Sequence, residues 1–185
     1  MNNLFVFVEG NDDKRFVDMI LSDFFIKHKS INLIPIPYQK KPNIKIIKHI
    51  QKIKSTNEKY IFLSDLDSHT YSCITARKNK RINEFHNEKY EDLDFKNIFI
   101  VVEEIESWYI SGVNNSLKQF KELDIPQNTE QFTKEQLDEL IEKSNFNSRI
   151  DFLMEICNKY DFNLAIQRNK SFKYFLEKYN MLNYI

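Results

Sequence analysis

Three short segments of the sequence concentrate acidic side chains that could bind a metal ion. They are Val8-Glu9-Gly10-Asn11-Asp12-Asp13, Ser64-Asp65-Leu66-Asp67-Ser68 and Glu103-Glu104-Ile105-Glu106-Ser107-Trp108. Carboxylates that crowd together repel one another unless a cation neutralises them. Oxygen ligands favour Mg²⁺ or Mn²⁺ over Zn²⁺. Ions of this kind promote phosphodiester hydrolysis, because they polarise the phosphoryl oxygen and activate water.

The spacing within the first two segments favours a shared ion. Asp65 and Asp67 are two residues apart, so they point the same way if they lie at the end of an extended strand. Glu9 and Asp13 are four residues apart, and they approach each other only if the chain turns at Gly10 and enters a helix. We therefore expect a turn at Gly10, in a position that leaves no room for a side chain.

Each acidic segment follows an apolar run that predicts a buried strand. The runs lie at residues 4–8, 60–63 and 98–102, and a further run at 31–36 contains a proline that indicates an edge strand or a strand end. Strands that alternate with helices form βαβ units and therefore a parallel sheet. Because ligands bind beyond the carboxyl ends of such strands, the three acidic segments are expected to meet at one edge of an α/β sheet.

Helices are expected between the strands and through most of the C-terminal part. The first, capped by Asn11 or Asp12, extends to about residue 29, the second is capped by Asn43, and a polar helical stretch ends near residue 90. Later helices are predicted at 108–111, 117–123, 134–143, 149–159 and 171–179, with Gly112 as a C-cap. The expected buried faces contain Phe16, Met19, Ile20 and Phe24, and Ile44, Ile47, Ile50 and Ile53. We expect a single domain, with its core at about 1–112 and a helical extension at about 113–185.

Positive charge is separated from negative charge along the chain, although 27 basic and 27 acidic residues balance overall. Lys41, Lys45, Lys48 and Lys52 fall on one helical face at steps of four, three and four residues. This face is either a track for nucleic-acid phosphates or the ordinary solvated side of an amphipathic helix, and the pattern favours neither. A second basic cluster contains Arg77, Lys78, Lys80 and Arg81.

The motifs Glu9-Gly10 after one strand and Asp65-x-Asp67 after a later one resemble the TOPRIM domain of topoisomerases, primases and the overcoming-lysogenization-defect (OLD) nucleases. Asp13 matches an additional acid of the OLD group. The resemblance implies a compact TOPRIM/Rossmann-like parallel sheet of about four strands flanked by helices. It also implies catalytic roles for Glu9, Asp65 and Asp67, with Glu9 as general acid/base or metal ligand. The further ligands Asp13, Glu104 and Glu106 would complete a site for two Mg²⁺ or Mn²⁺ ions.

Two later motifs are similar to a group of small TOPRIM-like proteins that are often paired with ATPases in bacterial defence loci. They are Glu104-x-Glu106-x-Trp108 and Arg168-Asn169-Lys170-Ser171-Phe172-x-x-Phe175-Leu176. The leading prediction is therefore a metal-dependent DNA or RNA nuclease, with an ABC-class ATPase encoded nearby as a partner. A topoisomerase is not expected, because the chain is too short for the further domain that presents the nucleophilic tyrosine.

Two other functions remain open. One is a TOPRIM ribonuclease that matures ribosomal RNA, although Ser68-His69-Thr70 replaces the glycine and basic run expected after Asp67. The other is a non-catalytic regulatory subunit in which the acids hold a structural ion. Two widely spaced cysteines and the lack of a long apolar run predict a cytoplasmic protein without a membrane partner.

Overall fold

A computed structural model describes residues 2–67, 70 and 73–185 of the chain. The chain divides into two compact units, Met1–Ile100 and Val101–Ile185. The division falls inside the fourth strand, earlier than the expected start of a helical extension near residue 113. The expectation of a single domain stays a prediction.

The first unit is built on four parallel strands, which confirms the predicted α/β fold. The strands are β1 (Asn2–Val8), β2 (Ile31–Pro37), β3 (Lys59–Asp65) and β4 (Ile98–Val101), and their order in the sheet is β2-β1-β3-β4. β2 lies at an edge, as its prolines predicted. Pro35 pairs with Val6 and Pro37 pairs with Val8, and an edge strand tolerates residues that lack an N–H donor.

β1 is a central strand, and its apolar sequence follows from that position. Its neighbours are β2 on one side and β3 on the other, so the residues Val6, Phe7 and Val8 are buried. Phe7 stands opposite Phe62 of β3, and their rings stack with centroids 4.8 Å apart. The strand therefore ends in apolar surroundings immediately before Glu9.

The described part of the first unit contains four α-helices: α1 (Asn11–Phe16), α2 (Ser22–Lys29), α3 (Asn43–Ser55) and α4 (Ile74–Asn87). The single helix predicted up to residue 29 is interrupted by a π-helical turn at Val17–Leu21. At the end of this turn, the Ser22 hydroxyl donates a hydrogen bond to the Val17 carbonyl over 2.9 Å. Ser30, in the left-handed conformation, ends α2.

Several predicted details of these helices were wrong by one or two residues. Gly10 and Pro42 are the N-cap residues, while Asn11 and Asn43 are the first residues of α1 and α3. Ile44 is exposed, and Ile46 takes its place in the core. The reason is that Ile46, Ile47, Ile50 and Ile53 share one face of the helix at 100° per residue, whereas Ile44 lies outside that face.

The second unit contains five α-helices: α5 (Ile105–Ser111), α6 (Lys134–Glu142), α7 (Arg149–Asn158), α8 (Phe162–Arg168) and α9 (Lys170–Lys178). Thr133 caps α6. The helix predicted at 117–123 is only a 3₁₀ turn, Lys118–Phe120, and α8 was not predicted. Trp108 is a core residue. Its ring contacts Phe172, and its Nε1–H donates to the Ser171 hydroxyl over 2.8 Å.

None of the helices in the described residues is long and apolar enough to cross a membrane. Cys73 is exposed and Cys157 is buried.

The two glycines of the chain differ in how much space surrounds them. A Cβ at Gly112, the C-cap of α5, would lie 2.3 Å from Cε2 of Tyr160. That ring cannot move easily, because its hydroxyl donates to the Trp108 carbonyl over 2.9 Å. A Cβ at Gly10 would lie 3.5 Å from Oδ2 of Asp13, which is an ordinary contact, and the Gly10 backbone is extended. The expectation that no side chain fits at Gly10 is therefore wrong, and the glycine that leaves no room for a side chain is Gly112.

We expect Gly112→Ala to lower the free energy of unfolding by about 1–3 kcal/mol, because the new methyl group overpacks the Tyr160 ring. Gly10→Ala is the matched control, and its effect should stay within about 1 kcal/mol. Urea unfolding followed by circular dichroism measures both values. Equal destabilisation by the two substitutions would contradict the difference in packing.

Candidate functional site

The carboxyl ends of β1 and β3 are joined by one arginine of α4. The Nη2 of Arg77 donates to Oε1 of Glu9 over 2.6 Å, and its Nε donates to the backbone carbonyl of Asp65 over 2.8 Å. The two charged side chains are mostly buried, with 10% of the Arg77 side chain and 17% of the Glu9 side chain exposed. A positive charge therefore lies where the sequence predicted that acids of different strands would converge.

Tyr38, the residue after β2, is the second partner of Glu9. Its hydroxyl donates to Oε1 of Glu9 over 3.1 Å and lies 2.7 Å from the hydroxyl of Ser64 in β3. Burial is the main cause that raises the Tyr38 pKa well above its ordinary value. Tyr38 therefore stays protonated at neutral pH and remains a donor to the carboxylate.

A second arginine of α4 holds Tyr38 in place. The Nη2 of Arg81 donates to the Tyr38 hydroxyl over 2.9 Å, and its guanidinium lies 4.6 Å from the centre of the Tyr38 ring. Its Nη1 donates to Oε2 of Glu84 over 2.9 Å. The ends of β1, β2 and β3 are thus linked by one network that contains two cations and two carboxylates.

Sequence reasoning missed Tyr38 and Glu84 in this network. Tyr38 had a usable signal, because it directly follows the second predicted strand and so belongs to the same edge as Glu9 and Asp65. Glu84 also had a signal, because it lies three residues after Arg81 in a predicted helix, a spacing at which opposite charges pair. Arg81 was placed in a basic cluster, but its pairing was not foreseen.

Asp65 and Asp67 occupy different local structures. Asp65 is the half-buried last residue of β3. Asp67 is exposed and has a left-handed backbone with φ of 53°, and its carboxylate accepts a hydrogen bond from the Thr70 hydroxyl over 2.9 Å. The extended geometry ends at Asp65, so strand alternation does not set the direction of Asp67. The residues Ser68 and His69 lie outside the described residues.

Asp13 completes the turn predicted at Gly10. It is buried, and its Oδ2 accepts a hydrogen bond from the Gly10 amide over 3.1 Å. The chain therefore does turn into a helix after Glu9. The Asp13 carboxylate satisfies an amide at the start of α1, and its assignment as a metal ligand stays a prediction.

The acids of the third segment belong to the second unit, where two of them have specific contacts. Glu104 is the N-cap of α5, and its carboxylate accepts from the Lys134 amide over 2.6 Å at the start of α6. Glu106 is buried and forms an ion pair with Arg149 of α7. Their assignment to a metal site shared with Glu9 stays a prediction. Glu103 is buried and has a left-handed backbone with φ of 59°.

The predicted nucleic-acid-binding residues separate into exposed and buried groups. The exposed ones are Lys41 before α3 and Lys45, Lys48 and Lys52 on α3. Lys78 is buried in α4, where its Nζ donates to the Phe95 carbonyl over 3.3 Å and lies 4.5 Å from the centre of the Phe95 ring.

The oxygen donors around Glu9 are carboxylate, carbonyl and hydroxyl groups, the kinds of ligand that a hard cation prefers, but the Arg77 guanidinium already neutralises Glu9. Within residues 2–67, 70 and 73–185, no three His, Cys, Asp or Glu side chains are grouped so that they could hold one ion. Ligation through Oε1 of Glu9 would require Arg77 to release that oxygen.

No protein-family model matches the sequence, and no curated protein matches it. A search of solved structures finds similarity to the C-terminal region of the OLD protein from Xanthomonas campestris pv. campestris, with 13% identity and a TM-score of 0.36. The alignment covers 90% of this chain and 83% of the other. A similarity this distant carries no argument about function.

Tyr38→Phe should lower the free energy of unfolding by about 1–3 kcal/mol, because Glu9 loses a donor and Arg81 loses an acceptor in a buried network. Tyr174→Phe is the matched control: Tyr174 is 48% exposed, and its substitution should change stability by less than about 0.5 kcal/mol. Urea unfolding gives both values. A Tyr38→Phe protein as stable as the control would show that the network contributes little.

Proposed function

We propose that this protein is a metal-dependent nuclease that hydrolyses phosphodiester bonds of DNA or RNA. The observation that carries the proposal is the contact of Arg77 with both Glu9 and the Asp65 carbonyl. Through this contact the end of β1, followed by Glu9, and the end of β3, closed by Asp65, meet at one cationic side chain. This supports a site at which the acids of the two strand ends bind a cation. Sites of this kind at the carboxyl edge of a parallel sheet are where α/β proteins bind their ligands.

The proposed roles follow from the side chains at this edge. Mg²⁺ or Mn²⁺, held by Glu9, Asp65 and Asp67, would polarise the phosphoryl oxygen and activate water. Asp13, Glu104 and Glu106 are proposed as ligands of a second ion. Tyr38 orients the Glu9 carboxylate through its hydrogen bond. Arg77 neutralises Glu9 and, when released from it, can donate two parallel hydrogen bonds to a phosphate.

The proposal includes a role as the effector of an anti-phage defence system that acts with an ABC-class ATPase. This part rests on the similarity of the motifs Glu104-x-Glu106-x-Trp108 and 168–176 to proteins found in such loci. A ribonuclease that matures ribosomal RNA is the alternative within the same chemistry, and the choice of substrate in the cleavage assay separates the two.

One observation favours a second function, that of a regulatory subunit. The Glu9–Arg77 ion pair is mostly buried and already satisfies the charge of Glu9. An internal counter-ion of this kind stabilises the strand ends without a metal. In that case the catalytic activity would lie in the ATPase partner, and an ion held by the remaining acids would be structural.

We expect the purified protein to cleave plasmid, single-stranded DNA or structured RNA with Mg²⁺ or Mn²⁺ and to lose this activity in EDTA. Asp65→Asn and Asp67→Asn should each lower the cleavage rate by at least about 100-fold, because each removes a charged ligand. Asp124→Asn, at an exposed acid of the second unit, should cleave like the wild type.

Thermal unfolding with and without Mn²⁺ provides a readout that does not depend on activity. A rise in melting temperature with Mn²⁺ that is lost in Asp65→Asn supports the metal site. Unchanged cleavage by both aspartate variants would refute the proposed mechanism. Absence of cleavage together with a Mn²⁺ effect on the melting temperature would favour the metal-binding regulatory subunit, and absence of both would refute the metal site.

The exposed lysines of α3 should contribute to nucleic-acid affinity by binding phosphates. Changing Lys45, Lys48 and Lys52 to Glu should flatten the slope of log affinity against log salt by about 0.9 for each phosphate of duplex DNA that the variant no longer neutralises. The matched control changes Lys27, Lys29 and Lys59, which lie near the opposite ends of β2 and β3, and its slope should stay that of the wild type. Equal slopes in the two triple variants would identify the α3 lysines as an ordinary solvated face.

A further inference from the structure

A cleft of about 210 Å³ opens beside Glu9 within the first unit. Its walls come from the loop after β2, from the first turn of α3 and from one face of α4. The lining residues are Glu9, Tyr38, Gln39, Lys41, Asn43, Ile46, Arg77, Lys80, Arg81 and Glu84.

The charge of this cleft is positive, although the chain as a whole is neutral. Four cationic side chains, Lys41, Arg77, Lys80 and Arg81, face two carboxylates, Glu9 and Glu84. The lining therefore carries a formal excess of two positive charges. A phosphate monoester carries between −1.5 and −2 charges near pH 7, roughly the amount that this excess balances.

The two arginines are held in place before any ligand binds. Each is about nine-tenths buried, and each is fixed by hydrogen bonds to Glu9, Tyr38 or Glu84. The Nε of Arg81 is buried and makes no hydrogen bond to any described residue. Donors that are already fixed lose little conformational entropy when an anion binds.

The start of α3 lies at the same cleft. Asn43 and Ile46, which line the cleft, belong to the first turn of this 13-residue helix, and this turn contains no acid. The amides of Lys45 and Ile46 already donate to the Pro42 carbonyl, over 2.9 and 3.4 Å. The helix therefore contributes to the cleft mainly through its dipole, whose positive end favours an anion.

Size and lining restrict the ligand further. The cleft is smaller than the roughly 300–1,000 Å³ of typical small-molecule sites. Apart from Ile46 and the Tyr38 ring, its lining is polar. It therefore has room for a phosphate group and adjoining atoms. The Tyr38 ring is only 3% exposed and lies against the Arg81 guanidinium, so it offers no open surface on which a base could stack.

We propose that this cleft binds a phosphate monoester, and that its natural ligand is the terminal phosphate of a nucleic-acid strand. The assignment to a strand end rests on the proposed nuclease function, whereas binding of the phosphate group rests on the cleft alone. A terminal phosphate in the cleft lies next to Glu9, so the site would give the protein a preference for phosphorylated strand ends.

Fluorescence anisotropy in EDTA tests the proposal without cleavage. The probes are single-stranded DNA oligonucleotides of one sequence with a 5′-phosphate, a 3′-phosphate or hydroxyls at both ends. At least one phosphorylated probe should bind about tenfold more tightly than the hydroxyl probe, the effect of one charge-assisted hydrogen bond. Inorganic phosphate should compete away this difference.

The variant Lys41→Gln/Lys80→Gln should remove the preference for a terminal phosphate. Both lysines are exposed, so the fold should be retained. The control Lys27→Gln/Lys59→Gln removes the same charge elsewhere and should keep the preference. Equal affinity of the wild type for all three probes would overturn the proposal. The proposal would also fail if inorganic phosphate bound the protein but left the difference in affinity between the probes unchanged.

Cleavage of covalently closed circular DNA separates this inference from the proposed function, because that substrate has no ends. Metal-dependent cleavage of the circle by a protein without an end preference would overturn the inference and leave the nuclease standing. An end preference in a protein that cleaves nothing would support the phosphate site and refute the nuclease.

Discussion

The need to neutralise a mostly buried carboxylate organises the first unit. Glu9 follows the buried residues of a central strand, and a charge in such surroundings is costly unless it is paired and hydrogen-bonded. Arg77 supplies the charge, and Tyr38 supplies a second donor. Because Arg77 also binds the Asp65 carbonyl, the same ion pair fixes α4 against the ends of β1 and β3.

Arg81 extends this constraint to the edge strand. It lies four residues after Arg77, on the same side of α4. Its contact with Tyr38 joins α4 to the chain that leaves β2. Two arginines one helical turn apart thus hold the ends of three strands. Since each member of the network touches at least one other, the energetic contributions of its residues cannot be additive.

The acids of the second unit show how side chains adjacent in sequence acquire different roles. Glu104 satisfies an amide at the start of α6, and Glu106 pairs with Arg149 of α7. Both interactions join the start of α5 to helices that follow much later in the chain. Asp13 has a comparable local role at Gly10. An acid-rich motif therefore includes carboxylates that complete helix ends and ion pairs, whether or not they also bind an ion.

The sequence alone determined the parallel α/β sheet, because apolar runs that alternate with helical patterns leave few other arrangements. It also placed Glu9 and Asp65 at one edge, since parallel strands all end on the same side, and it predicted the edge position of β2 from its prolines. Local signals did not reveal α8 or the π-helical turn. Only the tertiary structure decided that Arg77 faces Glu9 and that Arg81 faces Tyr38. Those partners are separated from the arginines by up to 68 residues, and no periodic pattern encodes a pairing between a strand end and a distant helix.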